Sequence, residues 1–307
     1  MMAVTPTRRL KKRRILIVGA GDVVKRALPA LSRNFRVYAL ARSAKAADEL
    51  RQRGVVPVQG DLDTPRSLRR LAGLGHWLIH SAPPREDRAG DPRTRNLMAA
   101  LGRGASLARR WVYISTSGVY GDCGGLPVPE TRPLQATTAR ARRRVAAEVT
   151  LRRAAIAGHA RLSILRAPGI YAAERLSLAR LERGDPVLNR DEDVITNHVH
   201  ADDLARALLA ALRMGRGGRA WNITDDDELA MGDYYDIMAD TFGLPRPPRA
   251  SRAECATRLT PMMMTFMGES RRLLNTRMKR ELKLRLRYPH VIDGLRAIRE
   301  QWKGEGR

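Results

Sequence analysis

A glycine turn near the start of the chain has the residue types and the spacing that bind a phosphate. Gly19 and Gly21 stand directly after the apolar run ILIV and before a helical pattern. In a G-x-G-x-x-G turn the first glycine permits the tight bend, and the second lets the backbone approach a pyrophosphate. The following helix begins with the amides of Asp22 and Val23, which would face the anion. Val24 replaces the third glycine, so we expect this helix to lie slightly further from the strand.

The end of the second predicted strand bears on the choice of nicotinamide cofactor. An acidic residue at this position would bind the ribose hydroxyls of NAD. The chain has Ala41, Arg42 and Ser43 there, so no carboxylate repels a 2′-phosphate and a guanidinium is present to pair with it. This pattern favours NADP, with NAD as the alternative cofactor. In the competing interpretation, Arg42 is only a solvated surface arginine.

These residues need a frame of strands and helices to position them, and the order of patterns along the chain indicates one. Six strand patterns alternate with helical patterns between Arg14 and about Ile170, and several of the strands are nearly continuous apolar runs. Such alternation is typical of β-α-β units with a buried parallel sheet. We therefore predict an α/β fold with a doubly wound, Rossmann-type parallel sheet, and a dinucleotide-binding domain over residues 14–170.

The alternation weakens after Ile170, which indicates a second, smaller region. We predict that residues 171–307 form a small C-terminal α/β substrate region, interleaved with the first rather than attached by a linker. Its methionine-rich stretch PMMMTFM is expected to be a helix that packs on a core, because methionine fills irregular gaps. A lid that faces the substrate is the alternative.

The net charge of +25 is the most unusual feature of the composition, with 57 basic against 32 acidic residues. A charge of this size attracts anionic partners. The arginines are spread along the whole chain, however, and only Arg8–Arg14 forms a short basic cluster. Nucleic-acid binding is therefore not the favoured interpretation, despite the charge.

Cysteine content and the length of the apolar runs bear on the compartment. Cys123 and Cys255 are too few for a disulfide framework, and no Cys/His cluster has the spacing of metal ligands, so we expect no metal site. The apolar runs are far shorter than the ~20 residues of a membrane-spanning helix. We recognise no signal peptide and no anchor. The expectation is a cytoplasmic protein without a membrane segment.

Several motifs at the predicted strand ends resemble those of a known family. Besides the glycine turn, they are Gly60-Asp61-Leu62, Ser81-Ala82, STSGVYG over residues 115–121, LRAPGIY over residues 165–171 and NHVHADD over residues 197–203. In their order and spacing, about residues 14–225 resemble an extended short-chain dehydrogenase/reductase of the NAD-dependent epimerase/dehydratase type, in one of its atypical branches. The resemblance implies a Rossmann-type fold, a nicotinamide dinucleotide and a small-molecule substrate.

The resemblance also implies roles for residues at four of the strand ends. Thr116 stands at the position of the family's catalytic serine or threonine, four residues before Tyr120, and would polarise the substrate oxygen. The implied cofactor contacts are Asp61 and Leu62 for the adenine, Ala82 and Pro83 for the ribose and the nicotinamide, and Pro168, Gly169 and Ile170 for the nicotinamide ring.

The chain departs from the resemblance at the family's catalytic Tyr-x-x-x-Lys. In the family the lysine precedes a helix glutamate by four residues; here that glutamate is Glu148, so Arg144 stands for the lysine and Arg140 for the tyrosine. An arginine does not release its proton at ordinary pH, so Arg140 is no general acid or base. The two arginines are one helical turn apart, where they would clamp an anion or, alternatively, belong to a solvated surface run.

Four other side chains are candidates for the missing proton donor: Tyr120, Tyr171, His198 and His200. In the resembling family the tyrosine of the STSGVYG motif more often packs than catalyses. The two histidines lie in a segment that the family commonly uses to support the domain junction. None of the four is preferred.

Three functions are compatible with these patterns. The first is an enzyme, an NADP-favouring oxidoreductase or epimerase-like protein for a small anionic metabolite, acting as a monomer or homodimer with Thr116, Arg140 and Arg144 in its active site. The second is a non-catalytic NADP-binding regulatory or redox-sensing protein, which the loss of the tyrosine and lysine favours. The third is a nucleic-acid-associated protein, which rests on the charge alone.

Overall fold

The computed structural model describes residues 12–104 and 107–304, so most of the basic cluster Arg8–Arg14 lies outside the described residues. The strands, in chain order, are β1 (Arg13–Val18), β2 (Phe35–Ala41), β3 (Val56–Gln59), β4 (Trp77–His80), β5 (Arg110–Thr116), β6 (Pro127–Val128), β7 (Arg161–Ala167), β8 (Gly169–Tyr171), β9 (Val187–Leu188), β10 (Ile195–Thr196), β11 (His198–His200), β12 (Arg219–Asn222), β13 (Leu229–Ala230), β14 (Arg249–Ala250) and β15 (Arg272–Leu273).

The α-helices, in chain order, are α1 (Asp22–Asn34), α2 (Ala44–Gln52), α3 (Pro92–Leu101), α4 (Ala139–Ala157), α5 (Leu178–Glu182), α6 (Ala201–Met214), α7 (Met231–Phe242), α8 (Arg252–Arg258), α9 (Pro261–Phe266), α10 (Thr276–Glu281) and α11 (Val291–Gly304). Short 3-10 turns occupy Pro65–Leu71, Ser117–Tyr120 and Ala173–Arg175.

A seven-stranded parallel sheet forms the centre of the molecule, in the order β12-β7-β5-β4-β1-β2-β3. The chain runs outward from β1 through β2 and β3, then crosses to the other side of β1 and continues outward through β4, β5, β7 and β12. The prediction of a doubly wound, Rossmann-type α/β fold is therefore confirmed. The crossover between β1 and β4 is the place where open α/β sheets bind dinucleotides, at the carboxyl ends of the strands.

Both faces of the sheet are covered, as the apolar strand patterns require. In β1 the side chains of Ile15 and Ile17 join one hydrophobic core and those of Leu16 and Val18 join the other, because successive residues of a strand point to opposite faces. The first core lies beneath α1 and α6, and the second beneath α3 and α4. Val24, which replaces the third glycine of the turn, is buried in the first core.

The C-terminal region is joined to the first region through strand pairs as well as through the chain. Strand β12 extends the main sheet next to β7. Strand β8 pairs with β11, and β6 pairs with β15, which brings the segment after α9 against the loop after β5. The predicted domain boundary between residues 170 and 171 stays a prediction. Any test of it has to consider that β12, beyond the boundary, belongs to the main sheet.

Helix length bears on the membrane question. Within residues 12–104 and 107–304, no helix is long and apolar enough to cross a membrane. The cytoplasmic location, the monomeric or homodimeric state and the absence of nucleic-acid binding stay predictions.

Candidate functional site

The carboxyl edge of the sheet collects the residues that the sequence singled out. Because all seven strands are parallel, their carboxyl ends lie along one edge. The glycine turn follows β1 at the centre, and Thr116 ends β5 two strands away. The other residues on this edge are Arg42 and Ser43 after β2, Asp61 and Leu62 after β3, Ala82 and Pro83 after β4, and Pro168, Gly169 and Ile170 after β7.

Gly19 is held in a conformation and an environment that only glycine tolerates. Its φ is +94°, in the region that side-chain-bearing residues rarely adopt. A Cβ at this position would overlap the backbone nitrogen of Ala82. The hydroxyl of Ser81 also donates a hydrogen bond to the carbonyl of Gly19. The turn after β1 and the loop after β4 are therefore packed backbone to backbone, which is why the first glycine of the motif is required.

Gly21 has the opposite environment. A Cβ built on Gly21 would meet nothing within 4 Å, and the residue is exposed. Gly21 is also the N-cap of α1, and no side chain caps this helix end. The space and the uncapped amides of Asp22 and Val23 fit the pyrophosphate of a dinucleotide, because a helix N-terminus attracts anions.

The side chain of Asp22 does not face open space, since it is paired with two arginines. Its carboxylate accepts from Arg26 Nε at 3.0 Å and from Arg175 Nε at 3.1 Å. Arg26 also pairs with Glu174 and, at 2.7 Å, with Asp202. Burial, followed by the contact with Glu174, raises the pKa of Asp22. The i,i+4 spacing signals the pair within α1, but nothing in the sequence indicates that Glu174 and Arg175 reach the glycine turn.

Arg42 and Ser43 sit at the outer end of the same edge. Both are exposed, and no hydrogen bond of the Arg42 guanidinium occurs within the described part of the chain. The Arg42 carbonyl accepts from the Gln59 amide at 3.2 Å, which joins the ends of β2 and β3. The Ser43 hydroxyl caps α2 by accepting from the Ala46 amide at 3.2 Å. The guanidinium is thus accessible, while the serine already has a structural role.

The loops after β3 and β4 are tied together by an arginine that sequence reasoning missed. Arg93 donates to both carboxylate oxygens of Asp63, at 2.9 and 2.6 Å, and to the Pro83 carbonyl at 3.1 Å. Asp61 accepts from the Asp63 amide at 2.9 Å, and Leu62 is buried. The predicted adenine and ribose contacts are therefore adjacent in space. Arg93 belongs to α3, and only the fold brings it to these loops.

Thr116 stands beside the first turn of α4. Its Oγ1 accepts from the Gly118 amide at 3.3 Å. A Cβ built on Gly118 would lie 3.7 Å from both Thr116 Oγ1 and the Cβ of Ala141. Ala141 follows Arg140 directly, and Thr138 caps the helix through the Ala141 amide at 3.1 Å. The structure therefore places Thr116 next to the helical turn that carries Arg140.

Arg140 forms no ion pair with an acidic side chain in the described part of the chain. Its side chain is exposed, and no hydrogen bond or ion pair of this guanidinium occurs within residues 12–104 and 107–304. Its carbon Cζ lies 5.7 Å from the centre of the Phe266 ring. Enough protein surrounds the guanidinium that burial, followed by the positive charge of Arg144, lowers the pKa of Arg140 from its usual value. The carboxylate of Glu86 acts on this guanidinium only from beyond ion-pair distance, so the positive charge remains available to an anionic ligand.

Arg144 is turned towards the strand beneath it. Its Nη1 donates to the Tyr113 hydroxyl at 3.0 Å and to the Ile114 carbonyl at 3.1 Å. These bonds attach α4 to β5 close to Thr116. Arg144 therefore already has protein acceptors, whereas Arg140 has none in the described residues. Of the two arginines, Arg140 is the one available to a ligand.

A buried ion pair sets the register of α4 on the sheet. Glu148 accepts from Arg166 Nη2 at 2.8 Å, from Arg166 Nε at 3.2 Å and from the Ser115 hydroxyl at 2.7 Å. The side chains of Arg166 and Glu148 are only 4% and 1% exposed. This network joins α4, β5 and β7 directly behind Thr116. Glu148 served in the sequence to align α4 with the family's Tyr-x-x-x-Lys motif. Its partner Arg166 on β7 was not predicted.

The two candidate tyrosines are directed into the core. The Tyr120 hydroxyl donates to Asn222 Oδ1 at 2.8 Å and accepts from Arg166 Nη1 at 2.8 Å. Burial raises its pKa to about 12. The Tyr171 hydroxyl is also buried, and a Cβ on Gly294 of α11 would overlap it, so it faces that helix. These contacts leave neither hydroxyl in a position beside Arg140.

The two candidate histidines support the C-terminal region. The ring of His198 stacks on that of Tyr234 at 3.8 Å between centroids, and burial lowers its pKa to about 3. His200 caps α6 by accepting from the Asp202 amide at 3.1 Å. In the same motif, the buried carboxylate of Asp203 accepts two backbone amides of the segment before α11. His198, His200 and Asp203 of the NHVHADD motif thus have structural roles.

Similarity to known proteins agrees with this geometry. Residues 15–224 match the model of the NAD dependent epimerase/dehydratase family. A relative from Stigmatella aurantiaca, the 4-hydroxy-2-methyl-3-oxo-4-farnesyl-3,4-dihydroquinoline-1-oxide ketoreductase, is 27% identical over 253 residues, which are 74% of this chain and 72% of that protein.

Solved structures with a similar fold cover nearly the whole chain. A conserved protein of unknown function from Silicibacter pomeroyi DSS is 27% identical, with a TM-score of 0.78 over 94% of this chain and 99% of that one. UDP-glucose 4-epimerase from Thermotoga maritima, solved with UDP-glucose, is 16% identical, with a TM-score of 0.75 over 96% of this chain and 100% of that one. At this identity the second likeness is one of fold alone.

Proposed function

The chain belongs to the NAD dependent epimerase/dehydratase family, and from that premise we propose that it is an NADP-favouring oxidoreductase that reduces the carbonyl group of a small anionic metabolite. The resemblance recognised in the sequence motifs is thereby confirmed at the level of the family. The observation that carries the proposed reaction is the position of Thr116 beside the turn of α4 that bears Arg140, whose guanidinium forms no ion pair within the described residues.

The proposed cofactor site is the turn after β1 and the neighbouring loops of the same edge. Gly21 and the first amides of α1 would hold the pyrophosphate, since the turn has open space and no side-chain cap. Gly19 would keep that turn against the loop after β4. Asp61 and Leu62 would hold the adenine, and Pro168, Gly169 and Ile170 would flank the nicotinamide.

NADP is proposed over NAD because of the residues after β2. Arg42 is exposed, and Ala41 stands where a carboxylate would bind the ribose of NAD. A guanidinium pairs well with a phosphate group, and no acidic side chain occupies this strand end to oppose it. The Ser43 hydroxyl would add a second contact only by sharing its role as the cap of α2.

Reduction of a carbonyl needs a hydride at the carbon and a proton at the oxygen. When bound, the reduced nicotinamide supplies the hydride. Thr116 would donate a hydrogen bond to the oxygen as negative charge develops there, and Arg140 would hold an anionic group of the substrate. Arg140 does not supply the proton, because arginine stays protonated at ordinary pH. We assign the proton to water, which reaches the exposed side of Arg140.

The choice of reduction within the family draws on the relative from Stigmatella aurantiaca. That protein is a ketoreductase and shares 27% of its residues with this chain over the aligned length. The family as a whole includes epimerases and dehydratases, which use the same cofactor site. A ketoreduction consumes one hydride and one proton and needs no base to remove a proton from the substrate, which suits a site without the tyrosine and lysine pair.

Steady-state oxidation of NADPH with a mixed carbonyl library tests the proposal, using the parent, Thr116→Ala and Thr116→Ser. Removal of a hydrogen bond to the developing oxyanion is expected to lower kcat by at least about 100-fold in Thr116→Ala. Thr116→Ser keeps the hydroxyl and should stay within several-fold of the parent. Equal activity of Thr116→Ala and the parent would contradict the role of Thr116.

A non-catalytic NADP-binding protein is the second candidate. The observation that favours it is that Tyr120, Tyr171 and His198 are all directed into the core, while arginines replace the family's tyrosine and lysine. In the same experiment, tight NADPH binding by the parent without turnover of any carbonyl would support this candidate and refute ketoreduction.

A further inference from the structure

We propose that the outer face of α9 and the guanidinium of Arg140 form one binding surface for carbonyl compounds in which an extended apolar body is joined to an anionic group. We call the pair Met262 and Phe266 the apolar wall. This inference rests on the proposed function, because it names the substrate class of the same site. It differs from that proposal in requiring the substrate to be largely apolar.

Helix α9 is apolar on two different faces, one buried and one exposed. On its inner side, Met267 just after the helix is buried with Cys255 and Leu259, and Met263 packs against the same cluster. On its outer side, Met262 is 65% exposed and Phe266 is 52% exposed. Met262 and Phe266 are four residues apart and so share one helix face. The inner side explains the predicted core packing of PMMMTFM, and the outer side is left for a ligand.

The apolar wall stands against the proposed active site. The Arg140 guanidinium lies over the Phe266 ring at 5.7 Å. The Thr137 hydroxyl, just before α4, donates to Glu269 Oε1 at 3.0 Å, just after α9. These two contacts attach the end of α9 to the start of α4. Arg140 directly precedes Ala141, which lies near Gly118 and Thr116. The apolar wall is therefore joined to the helical turn whose Ala141 lies near Thr116, and we infer that both border one site.

The charge beside the apolar wall defines the other part of the ligand. Arg140 forms no ion pair within the described residues, the carboxylate of Glu86 acts on it only at longer range, and Arg144 adds a second positive charge close by. An arginine above an aromatic ring presents its edge for hydrogen bonds while its face remains on the ring. The complementary molecule carries a carboxylate or an equivalent anion for Arg140, and a flat or extended hydrocarbon part for Met262 and Phe266.

Titration calorimetry with 2-naphthoate, 2-naphthalenemethanol, acetate and UDP-glucose tests this assignment. We expect 2-naphthoate to bind most tightly, because only this probe has both parts. Phe266→Ala and Met262→Ala should each weaken it by about 5- to 10-fold through lost apolar contact. Arg140→Gln should weaken 2-naphthoate by about 10-fold or more, and 2-naphthalenemethanol by less than about 3-fold.

Ile156→Ala is the matched control, since Ile156 is 77% exposed on α4 and lies outside the apolar wall. Its 2-naphthoate affinity should equal that of the parent. Tighter binding of acetate or UDP-glucose, no effect of Phe266→Ala, or an equal loss in Ile156→Ala would each overturn the inference. Every titration is run with and without NADP+, and NADP+ binding is measured separately. A parent that fails to bind NADP+ contradicts the proposed function, while the probe result still decides the apolar wall.

Discussion

The two sides of the carboxyl edge differ in how closely they keep the pattern expected of the family. Around β1 and α1, Gly19 and Gly21 remain, and each has the environment that its role requires. Around β5 and α4, Thr116 remains, but the sequence predicts that Arg140 and Arg144 stand where the family has its tyrosine and lysine. The predicted cofactor side departs from the family's pattern only at Val24, whereas the predicted substrate side departs from it at both residues of the tyrosine and lysine pair.

The two sides also differ in how strongly their residues are fixed by the backbone. At Gly19 a side chain would overlap the backbone of Ala82, so a substitution disturbs the fold itself. On α4 the corresponding substitutions change only side chains. Arg144 still binds β5 through the Ile114 carbonyl. The side chains that do chemistry can therefore change while Glu148 keeps the helix in register.

The largest expected effect is on the buried pair behind Thr116. Glu148→Ala leaves Arg166 as an uncompensated buried charge and should lower the free energy of unfolding by about 3–5 kcal/mol, measured by urea denaturation. The control is Asp240→Ala, which removes an exposed ion pair with Arg246 and should change stability by at most about 1 kcal/mol. Similar losses of unfolding free energy in both variants would show that the pair of Glu148 and Arg166 does not hold α4 on the sheet.

Two glycine variants separate cofactor binding from folding on the other side. Gly21→Leu fills open space, so its free energy of unfolding should stay within about 1 kcal/mol of the parent, while the Kd for NADPH rises more than about 100-fold. Gly19→Ala should instead lose about 1–3 kcal/mol of stability from backbone strain alone. Calorimetric titration and urea denaturation measure the two effects. NADPH affinity that survives Gly21→Leu would refute the phosphate site.

A buried carboxyl in the C-terminal region should make stability depend on pH. Burial raises the pKa of Asp225, just after β12, to about 9. Near pH 4 or below, Asp225 is protonated in both the folded and unfolded states and contributes little. As pH rises, only the unfolded state ionises, so stability falls by roughly 1.4 kcal/mol per pH unit up to the folded pKa. Asp225→Asn should remove this loss.

Urea denaturation at pH 5 and pH 7 checks that prediction. The stability advantage of Asp225→Asn over the parent should grow by about 2.7 kcal/mol between the two values. A constant difference would mean that Asp225 is ionised in the folded protein at pH 5. The same measurement on Gly21→Leu should parallel the parent, because that variant changes only the cofactor side.

The smallest effect concerns cofactor choice. Arg42→Ala should weaken NADPH by about 10- to 150-fold and leave NADH nearly unchanged, because a charge-assisted contact is worth roughly 1.5–3 kcal/mol. Arg33→Ala, an exposed arginine at the end of α1, is the matched control and should affect neither cofactor. Equal losses of NADPH and NADH in Arg42→Ala, or a parent that prefers NADH, would leave the NADP preference without support.

The sheet edge could be predicted from the sequence because local patterns determine it. Alternating strand and helix patterns predict a parallel sheet, and a parallel sheet places Thr116, Arg42 and the glycine turn along one edge. The position of Glu148 relative to Arg140 follows from helix spacing alone. These inferences need only the order of elements, which the apolar pattern of this chain makes clear.

Side-chain partners across the fold could not be predicted. Arg93 contacts Asp63 and Pro83, and Arg26 contacts Glu174. These partners are too far apart in the sequence for a local pattern to predict them. The direction of Tyr120 into the core depends on its contact with Arg166, 46 residues later. Sequence alone therefore left four possible proton donors open. In the structure Tyr120 and His200 have hydrogen-bond partners, while Tyr171 and His198 are buried among other side chains.

The central claim is that a conventional cofactor site serves a substrate side in which Arg140 binds an anion and no side chain of ordinary pKa donates the proton. The pH dependence of kcat/KM tests it directly, with NADPH and an aryl keto acid, in the parent and Arg140→Gln. We expect a parent profile with no ionisation of a general acid between about pH 6 and pH 9. We also expect a fall of about 10- to 150-fold in kcat/KM for Arg140→Gln at unchanged NADPH affinity. A bell-shaped parent profile, or a kcat/KM that Arg140→Gln leaves unchanged, would contradict this claim.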